Sequence, residues 1–246
     1  MVDSKVIVIT GASSGIGEAT ALRLAKANHK LVLGARREER LQELVDKIVN
    51  AGGEAVYEIT DVTDIHSVEQ LAEKAMNQYG RIDVWMNNAG LMPHSPLIQD
   101  RVEDWNRMID VNLRGVLHGI HAALPIMREQ KSGQFINTAS VAAHAVHAGG
   151  GVYSATKAGV TMISEALRQE EAAAGSNIRV TAISPAATAT EIADHITDEA
   201  TRERVAKAHA KLAVPADRIA EAIESAINMP ADTAINEIIV RPTAQA

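Results

Sequence analysis

Three side chains between residues 140 and 157 have the types and spacing for proton transfer to an oxygen. In Tyr153-Ser154-Ala155-Thr156-Lys157 a phenol and an ammonium stand four residues apart. On a helix, side chains at that spacing share one face. Tyr57 and Tyr79, the other two tyrosines, have Asp61 and Asp83 at the same offset. A free phenol has a pKa near 10 and is a poor acid–base partner at neutrality. Lowering it by ~3 units takes ~4 kcal/mol of selective stabilisation of the phenolate, which a partly desolvated lysine can supply. A Tyr–Lys pair alone would be an ordinary surface pairing. Ser140 changes that: it ends the preceding apolar run, thirteen residues earlier, where its hydroxyl can bond a substrate carbonyl beside the phenol.

A second cluster has the chemistry of phosphate binding. Thr10-Gly11-Ala12-Ser13-Ser14-Gly15-Ile16-Gly17 follows the β-branched run Lys5–Thr10 and opens a helical pattern. Glycines there let the chain turn sharply, approach a pyrophosphate and pack helix against sheet, while free helix N–H groups face the phosphates. The spacing is G-x-x-x-G-x-G, so its weight comes from its place after the first strand. Where a carboxylate would grip a ribose 2′-hydroxyl, the chain has Gly34-Ala35-Arg36-Arg37, with Arg36 nineteen residues after Gly17. A guanidinium can bind a 2′-phosphate in bidentate fashion. The expected cofactor is therefore NADP(H) over NAD(H); the plain alternative is that Arg36–Arg40 (RREER) is a solvated helix start. A cationic nicotinamide would add to the effect of Lys157 on the phenol.

Elements that could position these groups alternate along the whole chain. Strands are expected at Lys5–Thr10, Lys30–Ala35, Glu54–Thr60, Ile82–Asn87, Gly133–Thr138, Ile178–Ser184 and Glu237–Val240. Between them lie helical patterns at Gly15–Ala27, Glu38–Asn50, Asp64–Tyr79, Val102–Glu129 (bent near Pro125), Gly151–Ala174 and Ala216–Ile227. Near-continuous Val/Ile strands with helical crossovers predict an α/β, Rossmann-type doubly wound parallel sheet of about seven strands with helices on both faces. No linker or composition shift interrupts residues 1–246, so one domain is expected. Within it, Thr188–Leu212 resembles an amphipathic substrate lid.

Composition narrows the function classes. The chain has 246 residues, 46% of them apolar, no cysteine and a formal charge of −7. The missing cysteines exclude disulfides, Cys-ligated zinc and a thiol nucleophile, and fit a cytoplasmic protein. An acidic balance argues against nucleic-acid binding. Ser132–Thr156 lacks Asp, Glu, Lys and Arg over 25 residues, but Gln134, Asn137, His144, His147 and four glycines argue against a membrane span. His118/His121 and His144/His147 are i,i+3 pairs without an HExxH motif, so no metal is expected.

Taken in order, TGASSGIG (10–17), Asp61-Val62, Asn87-Asn88-Ala89-Gly90, Asn112, Ser140, Tyr153/Lys157 and Pro185…Thr190 resemble the short-chain dehydrogenase/reductase family from Val6 to about Thr190. Arg36, Arg37 and the C-terminal NEIIVRPT look like its NADP-dependent ketone and aldehyde reductases and 3-hydroxy acid dehydrogenases. The resemblance implies catalytic roles for Asn112, Ser140, Tyr153 and Lys157, with Asn112 holding a water that relays protons to Lys157. It implies cofactor contacts from Gly11, Ser13, Ser14, Gly15, Ile16, Gly17, Arg36, Arg37, Asp61, Val62, Asn88, Ala89, Gly90, Tyr153, Lys157, Pro185, Ala186, Thr188 and Thr190. For Asp61 the residues equally allow a turn cap. Ala186 departs from the family's usual glycine, whose lack of a side chain lets the backbone pass close to the nicotinamide.

The substrate pocket is expected to include His94, Ala142, Val146, His147 and Ile192. Small apolar residues and the absence of Arg or Lys from 132 to 156 favour a neutral ketone or aldehyde. A 3-hydroxy acid or 3-ketoacyl thioester, or a non-enzymatic NADP sensor, are the competing readings. The resemblance also implies a homotetramer or homodimer built through the helices 102–129 and 151–174.

Overall fold

The computed structural model describes residues 4–245. Seven parallel strands form one sheet in the order β3-β2-β1-β4-β5-β6-β9. They are β1 (Val6–Thr10), β2 (Lys30–Ala35), β3 (Glu54–Ile59), β4 (Val84–Asn87), β5 (Gly133–Thr138), β6 (Ile178–Pro185) and β9 (Glu237–Val240). Every residue of β1, β4 and β5 is buried, because helices cover both faces. On one face, α1 (Gly15–Lys26), α2 (Glu38–Asn50) and α8 (Ala216–Ile227) pack leucines and isoleucines against Ile7, Ile9, Leu31 and Leu33. On the other, α3 (Ile65–Tyr79), α5 (Gly115–Gln130) and α6 (Gly151–Ala173) cover Val8, Val32, Trp85 and Phe135. The strand order reverses between β1 and β4, which opens a crevice beyond their carboxyl ends.

The helix expected over Val102–Glu129 is interrupted, and not where expected. It runs as α4 (Val102–Ile109), a π-helical turn at Asp110–Arg114, and α5, with Pro125 inside regular helix. The wider turn brings Asn112 inward, fully buried. Its amide accepts from Leu91 N–H at 2.9 Å, and donates to Leu91 O at 2.9 Å and Thr156 Oγ1 at 3.2 Å. A side chain that can satisfy an isolated backbone pair is a reason to keep an asparagine in mid-helix.

The segment 188–212, expected to be helix-prone, is built from three short pieces. It comprises β7 (Thr188–Ala189), a 3₁₀ turn at Glu191–His195, and α7 (Glu199–Leu212). β7 pairs in parallel with β8 (Val214–Pro215), so the segment leaves and returns through one small clip. Its middle is tied to the start of α4: Thr197 Oγ1 donates to Asp104 Oδ2 at 2.5 Å, and Gln99 Nε2 donates to Asp198 at 3.0 Å. No helix among the described residues is long and apolar enough to cross a membrane.

A buried polar chain fastens α6 to the sheet. Trp85 Nε1 donates to Asn87 Oδ1 (2.8 Å), Asn87 Nδ2 to Asn137 Oδ1 (2.9 Å), and Asn137 Nδ2 to Ser164 Oγ (2.9 Å). Gly119 of α5 lies directly over it: an added Cβ would overlap Asn87 Oδ1 and lie 2.5 Å from Trp85 Nε1. Gly119→Ala should therefore lower unfolding free energy by about 2 kcal/mol despite alanine's better helix propensity. Urea denaturation measures it, and a stabilised variant would mean the helix simply shifts aside.

Candidate active site

The crevice at the strand ends is a cavity of about 920 Å³. Around the ends of β1 to β3 its wall includes Gly11, Ser13, Ser14, Gly15, Ile16, Arg36, Arg37, Asp61 and Val62. Asn88, Ala89, Gly90, Ser140, Tyr153, Lys157, Pro185, Ala186, Thr188 and Thr190 line the part below β4 to β6. His94, Ala142, His147 and Ile192 complete the expected substrate end. Three expected residues lie elsewhere. Val146 points to solvent, 66% exposed, because the loop after Ser140 turns its apolar side chain outward. Gly17 packs α1 under the loop: a Cβ there would overlap Gly11 O. Asn112 stands behind the wall, holding Leu91 and Thr156.

Ser140, Tyr153 and Lys157 lie together in the cavity wall. Ser140 caps the 3₁₀ turn Val141–Ala143, accepting from Ala142 N–H at 3.1 Å, which aims its hydroxyl into the cavity. That hydroxyl donates to the Pro185 carbonyl at 3.4 Å and lies close enough to the Tyr153 phenol to favour its ionised form slightly. Tyr153 and Lys157, one turn apart on α6, are 6% and 3% exposed. Lys157 Nζ lies 5.9 Å from the Tyr153 ring centre and donates to the Thr138 carbonyl at 2.7 Å. The His94 ring meets the Tyr153 ring edge to face at 5.3 Å.

Electrostatically, the chain by itself does not lower the phenol. Burial pushes Tyr153 up to about 12, only partly opposed by the bond from Ser140. The same burial pushes Lys157 down to about 8. The expected lowering combines an ammonium beside the ring with a cationic nicotinamide, and only the first of these belongs to the chain. Desolvation wins because both groups are enclosed and the ammonium turns its bond toward Thr138 rather than the phenol.

The nucleotide half is built from backbone. Asn88 Nδ2 donates to Thr10 O and Gly11 O, both at 3.1 Å, which locks the end of β4 to the turn after β1. Gly11 has φ +64°, and a Cβ there would stand 2.7 Å from Ala89 Cα, so only glycine fits both demands. Ser14 at the N-cap of α1 gives its helix no side-chain bond. The first N–H groups of α1 thus open toward the cavity beside Gly15 and Ile16, a cradle that suits a pyrophosphate. Asp61 caps its own turn, accepting from Thr63 N–H at 3.0 Å and Oγ1 at 2.8 Å, and still lines the cavity. Ala186 donates its N–H to Val240 O at 2.9 Å, so its backbone is anchored to β9.

The sequence did not reveal every wall residue. Arg107, Arg204 and Arg241 reach the cavity from α4, α7 and the end of β9. Glu191 also lines it, paired with Arg37 at 2.8 Å and Arg40 at 2.5 Å. No local motif signals such pairings across about 150 residues. The histidine pairs serve neighbours: His118 bonds Val62 O, His121 bonds Glu69 and His144 bonds Glu237. No group of three metal-ligating side chains forms among the described residues.

Comparison with known proteins agrees with this architecture. The short chain dehydrogenase family profile matches residues 5–201. An uncharacterized oxidoreductase of Staphylococcus saprophyticus is 52% identical over 245 residues, spanning 99% of this chain and 98% of that protein. Among solved structures, an alcohol dehydrogenase from Thermococcus sibiricus, complexed with 5-hydroxy-NADP, superposes with TM-score 0.88 at 30% identity over 99% of each chain. The closed form of a serine dehydrogenase complexed with NADP+ gives TM-score 0.90 at 33% identity, covering 98% of this chain and 96% of that one. A seven-stranded parallel sheet, a glycine turn under a helix start and a family match over most of the length lead to one assignment: the chain belongs to the short-chain dehydrogenase/reductase family of oxidoreductases.

Proposed function

We propose that the protein reduces a ketone or aldehyde to an alcohol with NADPH, reversibly. The observation that carries this reading is the buried convergence of Ser140, Tyr153 and Lys157 in one wall of the cavity. A nicotinamide nucleotide held along the Gly11–Ile16 turn would supply the hydride. Ser140 Oγ holds the substrate carbonyl oxygen, and Tyr153 Oη donates its proton to that oxygen as charge develops. Burial alone raises the phenol, so the stabilisation that would make it a proton donor near neutrality has to come from Lys157 together with a bound cationic nicotinamide. Lys157 places its charge beside the ring, and Asn112 positions Leu91 and Thr156 behind it.

The cofactor half supports NADP(H) through Arg36 and Arg37 at the end of β2. Arg36 lines the cavity and has no hydrogen bond or ion pair among the described residues, which leaves its guanidinium available to a 2′-phosphate. Both solved relatives named above carry an NADP-type nucleotide. Gly11, Ser13, Ser14, Gly15 and Ile16 would hold the pyrophosphate. Asp61 and Val62 would border the adenine, and Asn88, Ala89, Gly90, Pro185, Ala186, Thr188 and Thr190 the nicotinamide side. Retention of a buried Tyr and Lys favours turnover over a nucleotide-sensing role.

A second reading of the substrate has its own observation. Arg107, Arg204 and Arg241 bring positive charge into the cavity from elements outside 132–156, alongside His94 and His147. A 3-hydroxy acid or its 3-keto form would meet a complementary field there. A 3-keto acid and its methyl ester, assayed side by side, separate the two readings. The neutral-ketone reading expects kcat/KM for the ester to equal or exceed that for the acid, and an acid preference of about tenfold would select the second.

Two variants test the chemistry. Tyr153→Phe should lower kcat by about 10³-fold while NADPH still binds, as titrated by its fluorescence; near-normal turnover would remove Tyr153 as the acid. Lys157→Met addresses the buried charge. With its folded pKa pushed down to about 8, the ammonium opposes folding fully below pH 8, and this penalty fades as pH rises toward the unfolded value. The variant should thus be inactive yet more stable at pH 7 by about 2 kcal/mol, allowing for the lost bond to Thr138. That gain should shrink between pH 8 and 10 in urea titrations.

A further inference from the structure

At the mouth of the nucleotide half, one carboxylate stands where an incoming anion would go. Glu191 Oε2 accepts from Arg37 Nη1 at 2.8 Å, and Glu191 Oε1 accepts from Arg40 Nη1 at 2.5 Å. The remaining donors of Arg37 are also engaged: Nε and Nη2 reach Ser13 Oγ at 3.2 and 3.1 Å, and Nη2 reaches Ser14 Oγ at 2.7 Å. Arg37 thus presents no pair of free N–H groups. Glu191 directly follows Thr190, whose methyl group sits over Gly15, and it begins the 3₁₀ turn at the lid base. The ion pairs therefore run from the lid base, across the phosphate-binding turn, to the start of α2.

We infer that Glu191 is a specificity-determining residue, an internal anion that occupies Arg37 until a nucleotide 2′-phosphate displaces it and frees the lid base. The idea rests on the NADP(H) reading above, and it adds a coupling that reading lacks. A 2′-phosphate and a carboxylate both offer paired oxygens to a guanidinium, so they compete for the same fork. Two anions sharing Arg37 would repel each other, and the phosphate carries the larger charge. Arg36, with no ion pair, provides the first contact, and Arg37 the second once Glu191 leaves. A nucleotide lacking the 2′-phosphate gives Glu191 no reason to leave. The far end of the lid stays tied by Thr197 to Asp104 and by Asp198 to Gln99, so only its base is released.

Calorimetric titration of the full chain with 2′,5′-ADP and with 5′-AMP tests this without turnover. In Glu191→Gln, 2′,5′-ADP should bind about tenfold more tightly than in the wild type, and 5′-AMP within about twofold. Glu191 is partly exposed, so the substitution leaves the core untouched. In the wild type, 2′,5′-ADP but not 5′-AMP should raise amide hydrogen exchange across residues 191–196. An unchanged or smaller preference for 2′,5′-ADP in the variant, or equal exchange with both nucleotides, overturns the inference. A wild type that prefers 2′,5′-ADP with no response in the variant refutes the competition alone. A wild type without preference that gains one in the variant refutes the NADP(H) reading and keeps the competition.

Discussion

The active region depends on enclosing an ammonium beside a phenol. Lys157 is buried among the ends of β5 and α6, where it bonds the Thr138 carbonyl. Desolvation moves the two groups toward each other in acidity, the phenol up to about 12 and the ammonium down to about 8. Neither value alone resembles an acid poised for neutral pH. What the fold provides is a dry setting in which any further positive charge brought near the phenol acts with little screening. Stability is given up locally so that this setting exists, as is common where folds carry chemistry.

Holding such a pair in place requires rigid support on every side. The polar chain from Trp85 through Asn87 and Asn137 to Ser164 ties α6 to β4 and β5 in the interior. Asn112 does the same from the π-helical turn, reaching Thr156, whose hydroxyl donates to Tyr153 O at 2.7 Å. Each of these polar groups finds a partner, which is what makes a buried network rigid rather than weak. The cofactor half uses another device: glycines and backbone, with Asn88 as the stitch between the first and fourth strands.

Much of this was legible in the residues. The seven strands and the order of helices followed from apolar runs and their spacing, because a sheet buried on both faces leaves continuous Val/Ile stretches. Ser140, Tyr153 and Lys157 were legible because helical spacing and a strand end fix their mutual placement. The π turn was not, since a single-residue phase shift of about 100° within a long helical segment is hard to tell from the ordinary irregularity of apolar positions. Val146 was misplaced because a short apolar loop carries no period that says which side chains face inward. Glu191 and the cavity arginines come from segments far apart in the chain, brought together only by tertiary folding. For the phenol, spacing shows that Lys157 stands one turn away but does not express how strongly burial opposes it, which a cationic nicotinamide would have to help offset.

The two-residue clip between Thr188–Ala189 and Val214–Pro215 has a consequence for how such a protein can change. With both ends of the intervening excursion fastened together, its length between the points where Glu191, Thr197 and Asp198 are tied down is loosely coupled to the strands below. Extra residues inserted away from those anchors would add only a slowly growing closure entropy and little strain on the cavity beneath. The excursion is in effect a replaceable cassette, through which new substrates can be explored while the machinery beneath stays constant.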